Sequence, residues 1–219
     1  LRDGILYSEA LLPVTEVLNA RDTVERLAVH RRSIRRYRTD SIPQQDLLAL
    51  LHTASRAPSP WNLQPWRFIV VRNPQAKKQL REAAFGQPQV EAASAVIVVW
   101  SDMADALARV NEVQHPAWPP ERQTKTAAGI RAAFEKMTPG ERDQWGKSQA
   151  YIALGYLLLA AEAFGLGSSP MLGFDPAKVK AQFQLPDHAQ VAALVALGYP
   201  DEPGLGQHRF SVESITRFV

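Results

Sequence analysis

The chain has 219 residues, 46% hydrophobic and 21% charged, the proportions of a globular protein that can bury a substantial core. Lys and Arg number 25 against 22 Asp and Glu, and much of the +3 excess falls in Arg31–Arg38, which argues for a local anion site rather than an extended nucleic-acid surface. There is no cysteine, so disulfides, thiolate nucleophiles and zinc–thiolate sites are excluded, and redox chemistry must come from a bound cofactor.

Residues 1–20 show neither a strong pattern nor a basic region followed by an apolar run, and read as an N-terminal extension without a signal peptide. Residues 21–219 read as one domain with a C-terminal tail, since no repeat or low-complexity linker divides them. A helix is predicted over Arg21–Arg31, capped by Asp22 or Thr23, with Val24, Leu27 and Ala28 on one face. It runs into Arg31-Arg32-Ser33-Ile34-Arg35-Arg36-Tyr37-Arg38, five arginines in eight residues. Guanidinium forks match phosphate oxygens in pairs, and the serine adds a further donor.

Ser41 is predicted to cap the next helix, which continues through Leu47, Leu48, Leu50 and Leu51 to about Arg56. Then comes Ala57–Phe68, A-P-S-P-W-N-L-Q-P-W-R-F, in which Pro58, Pro60 and Pro65 leave few backbone options. Ser59, Asn62 and Gln64 can hydrogen-bond a planar heteroaromatic ligand, and Trp61 and Trp66 add flat apolar surface. Arg67–Val71 reads as a strand, Ala76–Ala84 as a helix, and Phe85–Gln89 as a loop carrying the amides Gln87 and Gln89. Ala93–Trp100 is a nearly continuous apolar run, the mark of a central strand covered on both faces.

Ser101–Arg109 reads as a helix capped by Ser101, His115–Pro120 as a break, and Arg122–Met137 as a helix. Thr138-Pro139-Gly140-Glu141 then restarts a long helix over Arg142–Phe164. The apolar part of that segment, Ala150–Leu166, is too short to span a bilayer and contains Glu162, so it is read as a buried or interface helix. Gly165-Leu166-Gly167 ends it and leads into Ser168-Ser169-Pro170-Met171-Leu172-Gly173-Phe174. A short helix from Asp175 to about Phe183, a buried strand over Ala189–Gly198, and a final strand over Ile215–Val219 complete the expectation. The five histidines show no ligand spacing, and no metal site is expected.

Three separated motifs, Arg31–Arg35, Ala57–Phe68 and Gly165–Phe174, with the strand end Val195–Pro200, resemble the FMN-dependent nitroreductase family in order and spacing. The resemblance covers roughly residues 21–212. It implies an α+β fold: a central mixed, mostly antiparallel sheet of four or five strands flanked by helices, in an intertwined homodimer with FMN at the subunit interface. A cytoplasmic location is expected, compatible with the lack of cysteine. It casts Arg31, Arg32, Ser33 and Arg35 at the FMN phosphate and pyrimidine edge, with Arg209 completing the phosphate site. Pro58, Ser59, Pro60, Asn62 and Gln64 would approach the flavin from the other subunit. Pro170, Met171, Leu172 and Gly173 would lie beside N5, with Gln87 and Gln89 near the ring. Two positions depart from the pattern. Leu172 stands where some relatives are acidic, and Gln207-His208-Arg209 stands where a Lys-x-Arg pair is common.

The activity implied is transfer of a hydride from NADH or NADPH, through flavin N5, to a nitroaromatic, quinone or similar planar acceptor, with no acid–base dyad needed from side chains. Trp61, Trp118, Phe134 and Tyr151 are candidates to line the acceptor face. No residue of the sequence selects between NADH and NADPH or names the natural oxidant. Two alternatives stay open: a non-enzymatic FMN-binding sensor, and a narrower reductase of the same fold acting on halogenated or small carbonyl compounds. Partners other than a second copy, the cofactors and small substrates, such as nucleic acid or membrane, are not expected.

Overall fold

A computed structural model of the chain describes residues 20–219. The extension expected over the first twenty residues lies, but for Ala20, outside the described residues. Helix α1 (Ala20–His30) starts earlier than predicted, so Asp22 and Thr23 sit inside its first turn rather than capping it. Helix α2 (Gln44–Ser55) is preceded by Pro43 in extended geometry with no side-chain cap, which removes Ser41 from that role.

The four strands are β1 (Trp66–Val71), β2 (Ala95–Ser101), β3 (Gly167–Met171) and β4 (Gln190–Gly198). They form one antiparallel sheet in the order β1-β2-β4-β3. Trp66 pairs with Ser101, Ala95 with Leu197, and Ser168 with Leu197 from the far side. The parallel component of the expected mixed sheet is a bridge from Ser33 to Ser168 on the outer edge of β3. Strand β3 escaped the sequence reading because Pro170 lies within it. A proline is tolerated there because β3 is an edge, where one row of N–H groups has no ladder partner to lose.

Alternation along β2 explains the layers. Ala95, Ile97 and Val99 pack with Leu47, Leu50 and Ala54 of α2 and with Ala150, Ala153 and Leu157 of α7 (Pro139–Ala163). Val96 and Val98 face the other way, onto Leu80 of α3 (Pro74–Ala83), Val90 of α4 (Pro88–Ala92) and Val179 of α8 (Pro176–Phe183). The predicted Phe85–Gln89 loop is shorter than expected, since Pro88 opens α4 and Gln89 belongs to its first turn. Helix α5 (Met103–Ala108) is capped by Asp102, whose carboxylate accepts from the Asp105 N–H at 2.9 Å; Ser101 is instead the last residue of β2.

Helix α6 (Pro120–Glu135) and α5 enclose a third cluster in which Leu63, Met103, Val110, Ile130 and Phe134 are buried. It forms a floor beneath the Pro-Trp loop. The strand expected over Ile215–Val219 is not formed: Val212–Ile215 is a single helical turn, α9, begun by Ser211, and residues 216–219 join no strand among those described. Among the described residues no helix is long and apolar enough to cross a membrane.

Candidate cofactor and acceptor site

The arginine motif leaves α1 as an extended segment laid along the sheet. The Ile34 N–H donates to the Ser168 carbonyl at 3.0 Å and the Arg38 N–H to the Tyr199 carbonyl at 2.9 Å. Close approach of backbone makes this possible. A β-carbon on Gly167 would stand 2.9 Å from Ile34 Cβ, and one on Gly198 would stand 2.8 Å from the Tyr37 ring. Tyr37 is largely buried there, which pushes its phenol pKa up, and its hydroxyl donates toward the carbonyls of Ile34 and Ala196, 2.5 and 3.2 Å away.

This arrangement gathers cationic groups at one corner. The Arg31 guanidinium is partly enclosed, and its Nη1 is buried with no hydrogen-bond partner. Burial, and then the neighbouring Arg209, push its pKa down, with Glu162 acting in the opposite sense. Gln207 fastens the late segment to this corner, its Nε2 donating to the carbonyls of Ala28 and Arg31, each at 2.8 Å. Arg32 lies alongside, donating to the Arg31 carbonyl at 3.2 Å. Arg35 and Arg36 offer backbone N–H groups to Glu202 at 2.6 and 3.2 Å, while the side chain of Arg35 stays exposed. A half-buried guanidinium with an unused donor, beside two further guanidinium groups, is chemically a seat for an anion such as phosphate.

The Gly165–Phe174 motif meets the two glutamines. Gln87 Nε2 donates to the Gly173 carbonyl at 2.8 Å, and Gln89 Nε2 lies 3.0 Å from Gln87 Oε1 and 3.3 Å from Met171 Sδ. Gln89 is buried and Leu172 is exposed. Ser33, Ser168 and Pro170 therefore share the β3 edge with this amide network.

The Pro-Trp loop stands elsewhere. Six strand steps separate Ala95, level with Ser168, from Ser101, level with Trp66 just after the loop. At about 3.3 Å per step that is about 20 Å along the sheet, with three interstrand spacings of about 4.8 Å across it. The loop and the arginine motif thus occupy diagonally opposite corners, and one chain cannot bring Pro58, Ser59, Pro60, Asn62 and Gln64 onto a ligand held by Arg31.

Within the loop, Pro60–Asn62 make a single tight turn, with Trp61, Asn62 and Gln64 at positive φ (54°, 57° and 45°). Trp61 stacks on Trp145 at 6.4 Å and meets the edge of Phe134 at 5.7 Å. Phe134 is buried behind Trp61, which takes it off the acceptor face proposed from the sequence; it belongs to the floor of the loop. Trp61 and Trp118 instead both line one cavity of about 500 Å³, with Asn62, Gln114, His115 and Thr126. Trp118 is fixed by the Arg122 guanidinium, 4.1 Å from its ring centroid. Tyr151 lies outside this cavity, its hydroxyl donating to the Ala192 carbonyl at 3.0 Å. Trp145 and Arg67 are structural partners of the site that sequence reasoning gave no role, and of the two only Arg67, inside the motif, carried any signal. Gln207 stands out in the sequence as a departure from the pattern, but its role as a fastener was missed.

The family model described as "Nitroreductase family" matches residues 28–199. A protein of Thermus thermophilus named NADH dehydrogenase is 52% identical over 207 residues, 94% of this chain and 98% of the relative. A candidate NAD(P)H nitroreductase of Bacillus subtilis (strain 168) is 31% identical, covering 86% of this chain and 93% of its own. Among solved structures, one from Exiguobacterium sibiricum 255-15, a candidate nitroreductase in complex with FMN, superposes with a TM-score of 0.83 at 26% identity, covering 90% of this chain and 97% of that one. With the motifs, the sheet and the length all in agreement, the chain belongs to the nitroreductase family.

Proposed function

We propose that the protein is a homodimeric, FMN-dependent oxidoreductase that passes reducing equivalents from NADH or NADPH to small planar acceptors. The observation that carries this reading is the buried, unpartnered Arg31 Nη1 beside Arg32 and Arg209, a phosphate seat at the corner where the family motif lies. When bound, FMN supplies hydride acceptance and donation at N5. Arg31, Arg32, Arg209 and Ser33 hold the phosphate and the pyrimidine edge, with Arg35 at the same motif. Gln87 and Gln89, held by Gly173 and Met171, present a fixed amide array to the ring, and the exposed Leu172 shields it from water without offering a proton. The same reading puts the protein in the cytoplasm, where NAD(P)H is supplied.

The diagonal separation of the two half-sites supports a homodimer, because a two-fold axis can place the loop of one copy on the arginine corner of the other. Helix α7 adds to this. Its second half, from Ala150 on, is apolar nearly all round, yet Ile152, Tyr156 and Leu159, which share a face, are each more than a third exposed in the single chain. Strand β1 is an open edge above an apolar groove of about 440 Å³ lined by Leu47, Leu48, Leu51, Val70 and Phe183. Its proposed occupant is the tail of the second copy, where Phe210, Val212, Ile215 and Phe218 are exposed. The Trp61–Trp118 cavity, of a size usual for small-molecule sites, then receives the acceptor beside the flavin.

The deciding measurement is an anaerobic absorbance spectrum of the purified protein before and after adding NADH or NADPH. A flavin band that bleaches supports the reductase and identifies the donor. A band that persists favours a flavin-binding sensor. Absence of flavin after incubation with FMN overturns the proposal.

A further inference from the structure

We propose that Arg67, braced by Asp105, is a positioning residue that holds the Pro58–Gln64 loop in the shape the flavin site of the other copy requires. The inference rests on the dimeric flavoprotein reading above. Three L-residues at positive φ within four positions, one of them a tryptophan, form a strained backbone that persists only where surrounding contacts over-determine it. Gln64 is further disfavoured because it precedes Pro65, whose ring restricts the residue before it.

Inside the loop, the Gln64 N–H donates to Ser59 Oγ at 3.0 Å, and Gln64 Nε2 donates to Asn62 Oδ1 at 2.9 Å. From outside, Trp145 and Phe134 support Trp61, and the Val113 carbonyl accepts from Asn62 Nδ2 at 3.2 Å. Arg67 supplies the remaining grip. Its Nη1 donates to the Gln64 carbonyl at 2.9 Å and the Trp66 carbonyl at 2.7 Å, while its Nη2 pairs with Asp105. Fixing the Gln64 carbonyl fixes the peptide plane from which the Gln64 side chain departs, and through it the orientation of the Asn62 amide.

The brace is itself anchored. Asp105 lies in the first turn of α5, where its N–H bonds Asp102, and Asp102 is 2.9 Å from His188 Nε2. Asp102, Asp105, Arg67 and His188 therefore link the sheet end to the loop. What they order is a surface: Trp61 is 50% exposed and Asn62 is exposed. Cavities of about 550 and 500 Å³ meet at Asn62 and Val113. A loop that buries little yet is held this firmly has its contacts spent on presentation. The planar guanidinium reaches the two carbonyls from one nitrogen and the carboxylate from another in a fixed fork, a span that the single nitrogen of a lysine ammonium on a flexible stem does not reproduce.

The test compares wild type, Arg67→Met, Arg67→Lys and Asp105→Asn as full chains, reading the FMN dissociation constant by flavin fluorescence, with circular dichroism and light scattering to check fold and assembly. Arg67→Met is expected to raise the constant at least tenfold in a folded dimer, Arg67→Lys to recover little of the loss, and Asp105→Asn to fall between. A constant within twofold of wild type in Arg67→Met overturns the proposal; should that variant not fold, an unchanged constant in Asp105→Asn does the same. A mixed dimer of Arg67→Met with Arg31→Ala separates positioning in trans from general damage. One intact site should remain, built from the Arg31 of the first chain and the loop of the second, and loss of both sites overturns the inference. A wild-type protein that binds no FMN overturns the functional reading and this inference together, whereas wild-type binding with an insensitive Arg67 removes this inference alone.

Discussion

Arg31 carries a guanidinium whose Nη1 is buried without a partner, and burial together with Arg209 already disfavours its charged form. A phosphate would relieve both penalties, so Arg31→Ala should weaken FMN binding by about 10- to 100-fold, the range for a lost charge-assisted hydrogen bond. Riboflavin, which lacks the phosphate, is the control in the same fluorescence titration, and its affinity should hardly move. Asp102 gives a prediction in pH. Burial pushes its pKa up, but hydrogen bonds from the Asp105 N–H and from His188 outweigh this and leave it below the ordinary 3.8. A depressed carboxylate pKa stabilises the fold above the unfolded value, and that contribution is lost as pH falls through the folded value. Asp102→Asn keeps a capping side chain without the charge. It should therefore be less stable than wild type at pH 7 in urea unfolding, with the gap closing as pH drops below about 3.8. At this scale the motif residues were legible because arginine, serine and proline declare their chemistry by type. Trp145 was not, because nothing in a lone helical tryptophan says which loop it will support.

Helix α7 shows which element features a sequence reveals. Thr138 and Glu141 form a reciprocal cap: Thr138 Oγ1 accepts from the Glu141 N–H at 3.3 Å, and the Glu141 carboxylate accepts from the Thr138 N–H at 2.8 Å. The spacing of threonine and glutamate announced the restart, but the helix begins at Pro139 rather than at the expected Arg142, because Thr138 is its cap and Pro139–Glu141 form its first turn. Thr138→Ala should lower Tm by about 2–4 °C at fixed protein concentration, measured by calorimetry. Strands β2 and β4 were equally legible from their apolar runs. Strand β3 was not: Gly-Ser-Ser-Pro-Met has no strand composition, and it is a strand because β4 and the Ile34 N–H claim its two edges. The caps at Ser41 and Ser101 failed for a simpler reason. In each case the residue beside α2 or α5 that set the boundary, Pro43 or Asp102, lay one or two positions further on.

At the scale of the molecule, the sequence presented three motifs as one constellation, and the single chain holds them at opposite corners of a sheet. On the dimeric reading proposed above the missing term is symmetry, and its trace is apolar surface that no described residue covers: the outer face of α7, the open β1 edge, and a tail with Phe218 94% exposed. The strand expected over Ile215–Val219 drew on the right composition, and the single chain simply offers it no ladder to join. If that tail covers the β1 groove of a second copy, each Phe218 buries a side chain worth about 1.5–3 kcal/mol, and the two-fold counts it twice. Phe218→Asp should then raise the dimer dissociation constant by about a hundredfold or more, read by light scattering over a dilution series. Flavin content should fall in step, because monomers separate the loop from the arginine corner. A dimer that survives the substitution with its flavin intact would place the tail in solvent. Dissociation without loss of flavin would instead mean that the arginine corner holds the cofactor unaided and that the loop plays no part in retaining it.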